Sequence, residues 1–143
     1  MGCDIHCHVE IKVAGKWLHY NAPTIRRDYK LFTKMAGVRA RDDEIDVIAQ
    51  PRGLPPDASE TTQWAAKQQG ADGHSHSYLT SSELTELRKW GEAAGRKTHA
   101  GGYWWFDGMF GYVCGNPLDG MAEYPTSYPP DLEDVRFVFW FDN

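Results

Sequence analysis

The stretch Cys3-Asp4-Ile5-His6-Cys7-His8-Val9-Glu10-Ile11-Lys12-Val13 alternates without interruption. Ile5, Cys7, Val9, Ile11 and Val13 fall on one side, and Asp4, His6, His8, Glu10 and Lys12 on the other. A period of two is that of a β-strand with one face turned to a core. Ala14-Gly15 reads as a turn into Lys16–Tyr20, which makes a hairpin. At the far end, Val135-Arg136-Phe137-Val138-Phe139-Trp140-Phe141-Asp142-Asn143 is apolar on both sides. That pattern predicts a central strand covered twice, held beside the first strand.

Between these strands the sequence carries helix signals. Asp28 is placed to cap a helix over Tyr29–Ala36, with Leu31, Phe32 and Met35 on one side and Gly37 as its stop. Asp57 or Ser59 starts a second helix that runs to Gln69, before Gly70. Thr80 and Glu83 form a capping box for a third, with Leu79 and Leu84 as a hydrophobic staple and Gly95 as its end. Residues 38–58 read as a charged, Pro-rich loop, and Asp72–Ser77 as a polar loop. The expected architecture is α+β: a mainly antiparallel sheet joins the N-terminal hairpin to the C-terminal strand, with two or three helices packed on one face. The stretch 96–131 interleaves glycines with Tyr103, Trp104, Trp105, Phe106, Phe110 and Tyr112 and shows no period. It reads as a functional loop or lid.

The chain has 143 residues, which suits a single domain over 1–143 and excludes a (β/α)₈ barrel. A net charge of −5 argues against a sequence-blind binder of duplex DNA, which needs a broad basic surface. No run of 18 apolar residues occurs, so no membrane span is expected. Asp4 and Glu10 interrupt the opening, so no secretory leader is expected either. His6 stands where an N-myristoylation signal wants Ser or Thr. Three cysteines are an odd count and read as reduced thiols of a cytoplasmic protein, with Cys3 and Cys7 on the core side of their strand. Nothing in the composition excludes a homo-oligomer.

Asp4-x-His6-x-His8 is the sharpest chemical signal. Alternate residues of a strand share a face about 6.5–7 Å apart, so two imidazoles and a carboxylate can meet one ion. His74-x-His76 lies in a segment able to bend toward them, and Asp142 closes the last strand. His6, His8, His74 and Asp142 are therefore the candidate metal ligands, and the mixture of imidazole and carboxylate suits Zn or Mn. Asp4 or Glu10 is the candidate general base. Arg52, in a Pro-bounded turn, is the candidate for neutralising phosphoryl charge, with Arg39 a second guanidinium nearby. Each feature also has a plain explanation: solvated strand residues, surface charges near Asp28 and Asp42, and core aromatics. No phosphate-binding P-loop, serine-hydrolase elbow or Cys/His nucleophile pair is present.

The opening Met1-Gly2-Cys3-Asp4-Ile5-His6 and the segment Asp28-Tyr29-Lys30-Leu31-Phe32 with Ala36-Gly37-Val38-Arg39 belong to a recognisable set of blocks. So do Pro51-Arg52-Gly53-Leu54-Pro55, Asp72-Gly73-His74-Ser75 and the closing Val138-Phe139-Trp140-Phe141-Asp142-Asn143. Together they resemble a family of small phage and prophage proteins to which no reaction is assigned. The quoted blocks cover about a fifth of the chain and run from end to end. In that pattern His6, His8 and His74 match histidine positions, and His76 a variable one. The resemblance implies the cytoplasm of an infected or lysogenic host, and by analogy a counter-defence role against nucleotide signals. The leading expectation is a metal-dependent hydrolase of a phosphoester or nucleotide-type substrate. The alternatives are a binding protein that sequesters a small anionic, nucleotide-like ligand, and a structural or host-interaction protein.

Overall fold

The computed structural model describes residues 2–40, 45–94 and 132–143. The expected loop or lid at 96–131, Cys114 and Gly95 lie outside these. In chain order the elements are β1 (Asp4–Val13), β2 (Lys16–Asn21), α1 (Tyr29–Ala36), α2 (Glu60–Gln69), β3 (Gly73–Thr80), α3 (Ser81–Ala93) and β4 (Leu132–Asp142). The four strands form one antiparallel sheet in the order β2-β1-β4-β3. The fold is α+β, with both ends of the chain in its centre. Asp4 pairs with Asp142, and the ladder runs unbroken to Lys12 opposite Asp134.

Pairing in register puts odd-numbered residues of β1 and β4 on one face and even-numbered ones on the other. Ile5, Cys7, Val9, Ile11, Val135, Phe137, Phe139 and Phe141 meet Leu31, Phe32 and Met35 of α1 and Leu84 and Leu87 of α3 in one core. The Phe32 and Phe141 rings meet edge-on at 5.1 Å between centroids. Each such side chain, fully buried, contributes about 1.5–3 kcal/mol of hydrophobic stabilisation. Cys3 and Cys7 are free thiols inside it, and burial pushes both thiols up from their ordinary range.

The caps follow the sequence signals. Leu31 N–H donates to Asp28 Oδ1 at 3.1 Å, and Gly37 ends α1 at φ 70°, the left-handed conformation a side chain disfavours. Thr62 N–H donates to Ser59 Oγ at 3.2 Å at the start of α2. Thr80 N–H donates to Glu83 Oε1 at 3.0 Å, one half of the expected capping box.

Two expectations change. Asp72–Ser77 is not a loop, because β3 begins at Gly73 and forms the edge beside β4. One extra residue is accommodated between His74 and Ser77, where Ser75 adopts φ 56°, and this bulge hides the strand's period in the sequence. The helices also divide between the faces. α1 and α3 cover the apolar face, whereas α2 lies across the even-numbered one. Its Thr62 hydroxyl donates to Glu10 at 2.7 Å, and its Gln69 amide donates to Asp142 at 3.3 Å. Between these two anchors Ala65 and Ala66 are half-buried, at helical spacing from both ends.

Candidate functional site

The even-numbered face carries an imidazole cluster built by strand alternation. His6 and His8 come from β1, His19 from β2, and His76 from within the bulge of β3. Trp140 of β4 sits among them. Its ring lies nearly parallel to those of His6, His8 and His76, with centroids 6.0, 5.0 and 5.6 Å away. Trp140 is almost fully buried, and its Nε1 has no hydrogen-bond partner among the described residues.

Two polar pairs organise the imidazoles. His6 Nε2 donates to Asp142 Oδ2 at 2.7 Å. His8 Nδ1 and His19 Nε2 stand 2.9 Å apart, so one donates and the other accepts. That contact cannot form with both rings doubly protonated. Burial, reinforced by His19, pushes His8 down to about 4, and burial lowers His19 and His76 as well. Around neutral pH, His8 is an uncharged neighbour of His6. His6 keeps 36% of its side-chain surface exposed and Asp142 keeps 22%, so a ligand can reach the pair.

The strand alternation that unites His6 and His8 separates His74. His74 pairs with Phe141, not Trp140, and its ring stacks on Phe141 at 6.2 Å. It therefore leaves the sheet on the helix side, while His76 leaves on the other. In a regular strand the two would share a face; the extra residue at the bulge parts them. His74 Nε2 meets Asn143 Oδ1 at 3.3 Å, and Arg39 Nη2 donates to the same oxygen at 3.2 Å. Of the four expected ligands, His6 and Asp142 touch and His8 is adjacent. His74 belongs to a different surface. Among the described residues, no three His, Cys, Asp or Glu side chains are arranged to hold an ion.

The remaining candidates have structural partners. Asp4 receives Arg27 Nε and Nη2 at 2.9 Å each, and that fork holds its carboxyl below the usual range. Glu10 is fully buried. It accepts Ser59 N–H at 2.8 Å, the Thr62 hydroxyl at 2.7 Å and Arg136 Nε at 2.9 Å. Arg136 Nη2 is 2.8 Å from the same carboxylate, close enough for ion pairing but not aligned for a second hydrogen bond. Burial by itself would raise Glu10, but these donors outweigh it and leave the carboxyl lowered. A carboxylate so occupied is a poor proton acceptor; it anchors α2 to the sheet. Arg52 forks onto both oxygens of Glu83 and also donates to Tyr78 O at 3.0 Å. It locks the Pro51–Pro55 turn to β3 and α3.

His19 was absent from the candidate ligands. Its only sequence signal is its place in the second arm of the hairpin, opposite Glu10. Comparison of the chain with protein-family models, curated proteins and solved structures returned no match.

Proposed function

We propose that this chain is a hydrolase of a phosphoester or nucleotide-type substrate, with His6 and Asp142 as its reacting pair. The observation that carries the reading is the 2.7 Å contact between the two on a partly exposed rim. A carboxylate that accepts the Nε2 proton fixes the tautomer and leaves a lone pair on Nδ1. Nδ1 then takes a proton from water as its oxygen bonds to phosphorus, the ester P–O bond breaks, and the imidazolium, stabilised by Asp142, returns the proton to the departing oxygen. His8, kept neutral by burial, adds no competing charge. Gln69 steadies the carboxylate from α2.

A Zn or Mn ion, if one binds, would be held by His6 and Asp142 and would supply activation of a water and polarisation of the phosphoryl group. The binding-protein reading draws on a different observation, the flat stack of Trp140 and three imidazoles. The viral, cytoplasmic setting implied by the resemblance makes host nucleotide signals the first substrates to try.

The test incubates the purified protein with linear and cyclic nucleotides, with and without chelator, beside His6→Ala and Asp142→Asn. The expected result is turnover that falls about 100-fold or more in His6→Ala, the scale of lost acid–base catalysis. Turnover that survives chelation assigns proton transfer alone. Loss that Zn or Mn restores assigns an ion to the pair. Turnover untouched by both substitutions overturns the proposal. Recovery of an intact nucleotide from the denatured protein, with no turnover, replaces it with sequestration.

A further inference from the structure

At the same end of the sheet, on the helix side, a cleft of about 420 Å³ opens between the end of α1, the Gln50-Pro51 turn and the start of β3. We infer that this cleft binds the phosphate group of a small phosphorylated ligand. The inference does not depend on the hydrolase reading. Asp142 and Asn143 are consecutive, and Asn143 rather than Asp142 lines this cleft.

The lining chemistry favours an anion. Arg39, His74, Gln50, Ser75 and Asn143 supply side-chain donors, and no Asp or Glu side chain of the described residues lines the cleft. Arg39 and His74 converge on one neutral amide oxygen, Asn143 Oδ1, at 3.2 and 3.3 Å. Both contacts are long. A phosphate oxygen brings a full negative charge to the Arg39 guanidinium, where the Asn143 amide offers only a dipole, so it would compete well for that donor. The Arg39 guanidinium also lies 5.7 Å over the Tyr29 ring, which limits its orientations.

The backbone points to the same place. Three non-glycine residues of the described chain have positive φ: Ala14, Arg39 and Ser75. Ala14 sits in the tight turn of the hairpin, whose geometry demands it. The other two, at φ 57° and 56°, both line this cleft. Each costs about 1–2 kcal/mol and persists only where surrounding contacts over-determine it. Those contacts are present. Ile48 N–H donates to Lys34 O at 2.8 Å behind one wall. Arg52 N–H donates to Ser77 Oγ at 3.2 Å, and Gly53 N–H to His76 O at 2.8 Å, behind the other. Gly37 lets the walls close in, since a Cβ there would stand 3.2 Å from the Gln50 amide.

Titration calorimetry with inorganic phosphate, AMP and acetate tests this on the whole chain, beside Arg39→Met, His74→Gln and His6→Ala. Phosphate and AMP should bind, with acetate at least about tenfold weaker, since it presents fewer acceptors to the fork and the imidazole. Arg39→Met should weaken AMP about tenfold or more, and His74→Gln should weaken it several-fold from the opposite wall, each with an unchanged circular-dichroism spectrum. His6→Ala should leave AMP binding intact even where it abolishes turnover, so the two proposals fail separately. Failure of the wild type to bind phosphate and AMP overturns the inference. So does equal binding by both cleft variants, loss of binding in His6→Ala alone, or a preference for acetate. Should Arg39→Met not fold, His74→Gln decides.

Discussion

On the helix side of the sheet, Ile5, Cys7, Phe137, Phe139 and Phe141 pack against α1 and α3, and any side chain of similar volume and polarity would serve. One residue further along the same strands, His6, His8, Glu10 and Arg136 each meet a particular partner at a particular atom. The first face is held by area, which is non-directional. The second is held by hydrogen bonds and ion pairs, which fail when one atom moves by an ångström. The same backbone thus carries a tolerant surface and an exacting one, and chemistry belongs on the exacting one.

Substitutions that treat the two faces alike sharpen this contrast. Phe139→Ala should cost the most, about 3–5 kcal/mol in urea unfolding, through lost burial and the cavity it leaves. A loss under about 1 kcal/mol would mean that the apolar face collapses into the gap. Glu10→Gln changes hardly any volume, yet it should cost about 3 kcal/mol, because it leaves the almost buried Arg136 guanidinium with only the largely exposed Asp57, 3.0 Å from Nη1, as counter-charge. If it costs no more than a surface substitution, the exacting character of the second face is refuted.

Acid should separate the faces next. His8 is held down to about 4 in the fold, against an ordinary 6.5. Between these values the unfolded chain binds the proton that the fold refuses, so stability rises with pH across that window. The contribution is complete above about 6.5 and is lost as pH falls toward 4. His19 and His76, also lowered, act in the same sense. Glu10, lowered too, adds stability that disappears below its unfolded value. Unfolding midpoints across this range should therefore fall toward acid, and His8→Phe should flatten the upper part of the slope. An unchanged slope in that variant would assign it to other groups.

The smallest effect belongs to Arg52→Ala. Its fork to Glu83 is partly exposed, with 30% and 18% of the side-chain surfaces accessible. Screening therefore limits the loss to about 1 kcal/mol in the same unfolding measurement. The predicted readout beyond stability is weaker AMP binding in the cleft, whose Gln50-Pro51 wall Arg52 holds from behind.

Much of the fold was legible from local pattern. The alternation of residues 3–13, the doubly apolar end and the caps at Asp28, Ser59 and Thr80 all state their own geometry. Ser75 did not, because one residue in a left-handed conformation shifts the period, and Gly-His-Ser-His-Ser then reads as loop. The position of α2 was hidden for another reason. Its inward residues, Thr62, Ala65, Ala66 and Gln69, are small or polar, so no apolar stripe announces the face it covers. Of the candidate site, the sequence located His6 and His8 on one face and placed a carboxylate at residue 142. It did not show that Glu10 and Arg52 have structural partners.

The amino-acid order alone determined which side chains share a strand face and where helices begin, because both follow from backbone periodicity and neighbours within a turn. Only the tertiary structure decided which acid meets which base: His6 with Asp142, Glu10 with Arg136, Arg52 with Glu83, and His74 with Asn143 rather than with His6. Those pairings join residues far apart in the chain, and many carboxylates could satisfy each cation equally well by charge. Strand register and a single bulge select among them, and both are set by how the whole sheet buries its apolar face.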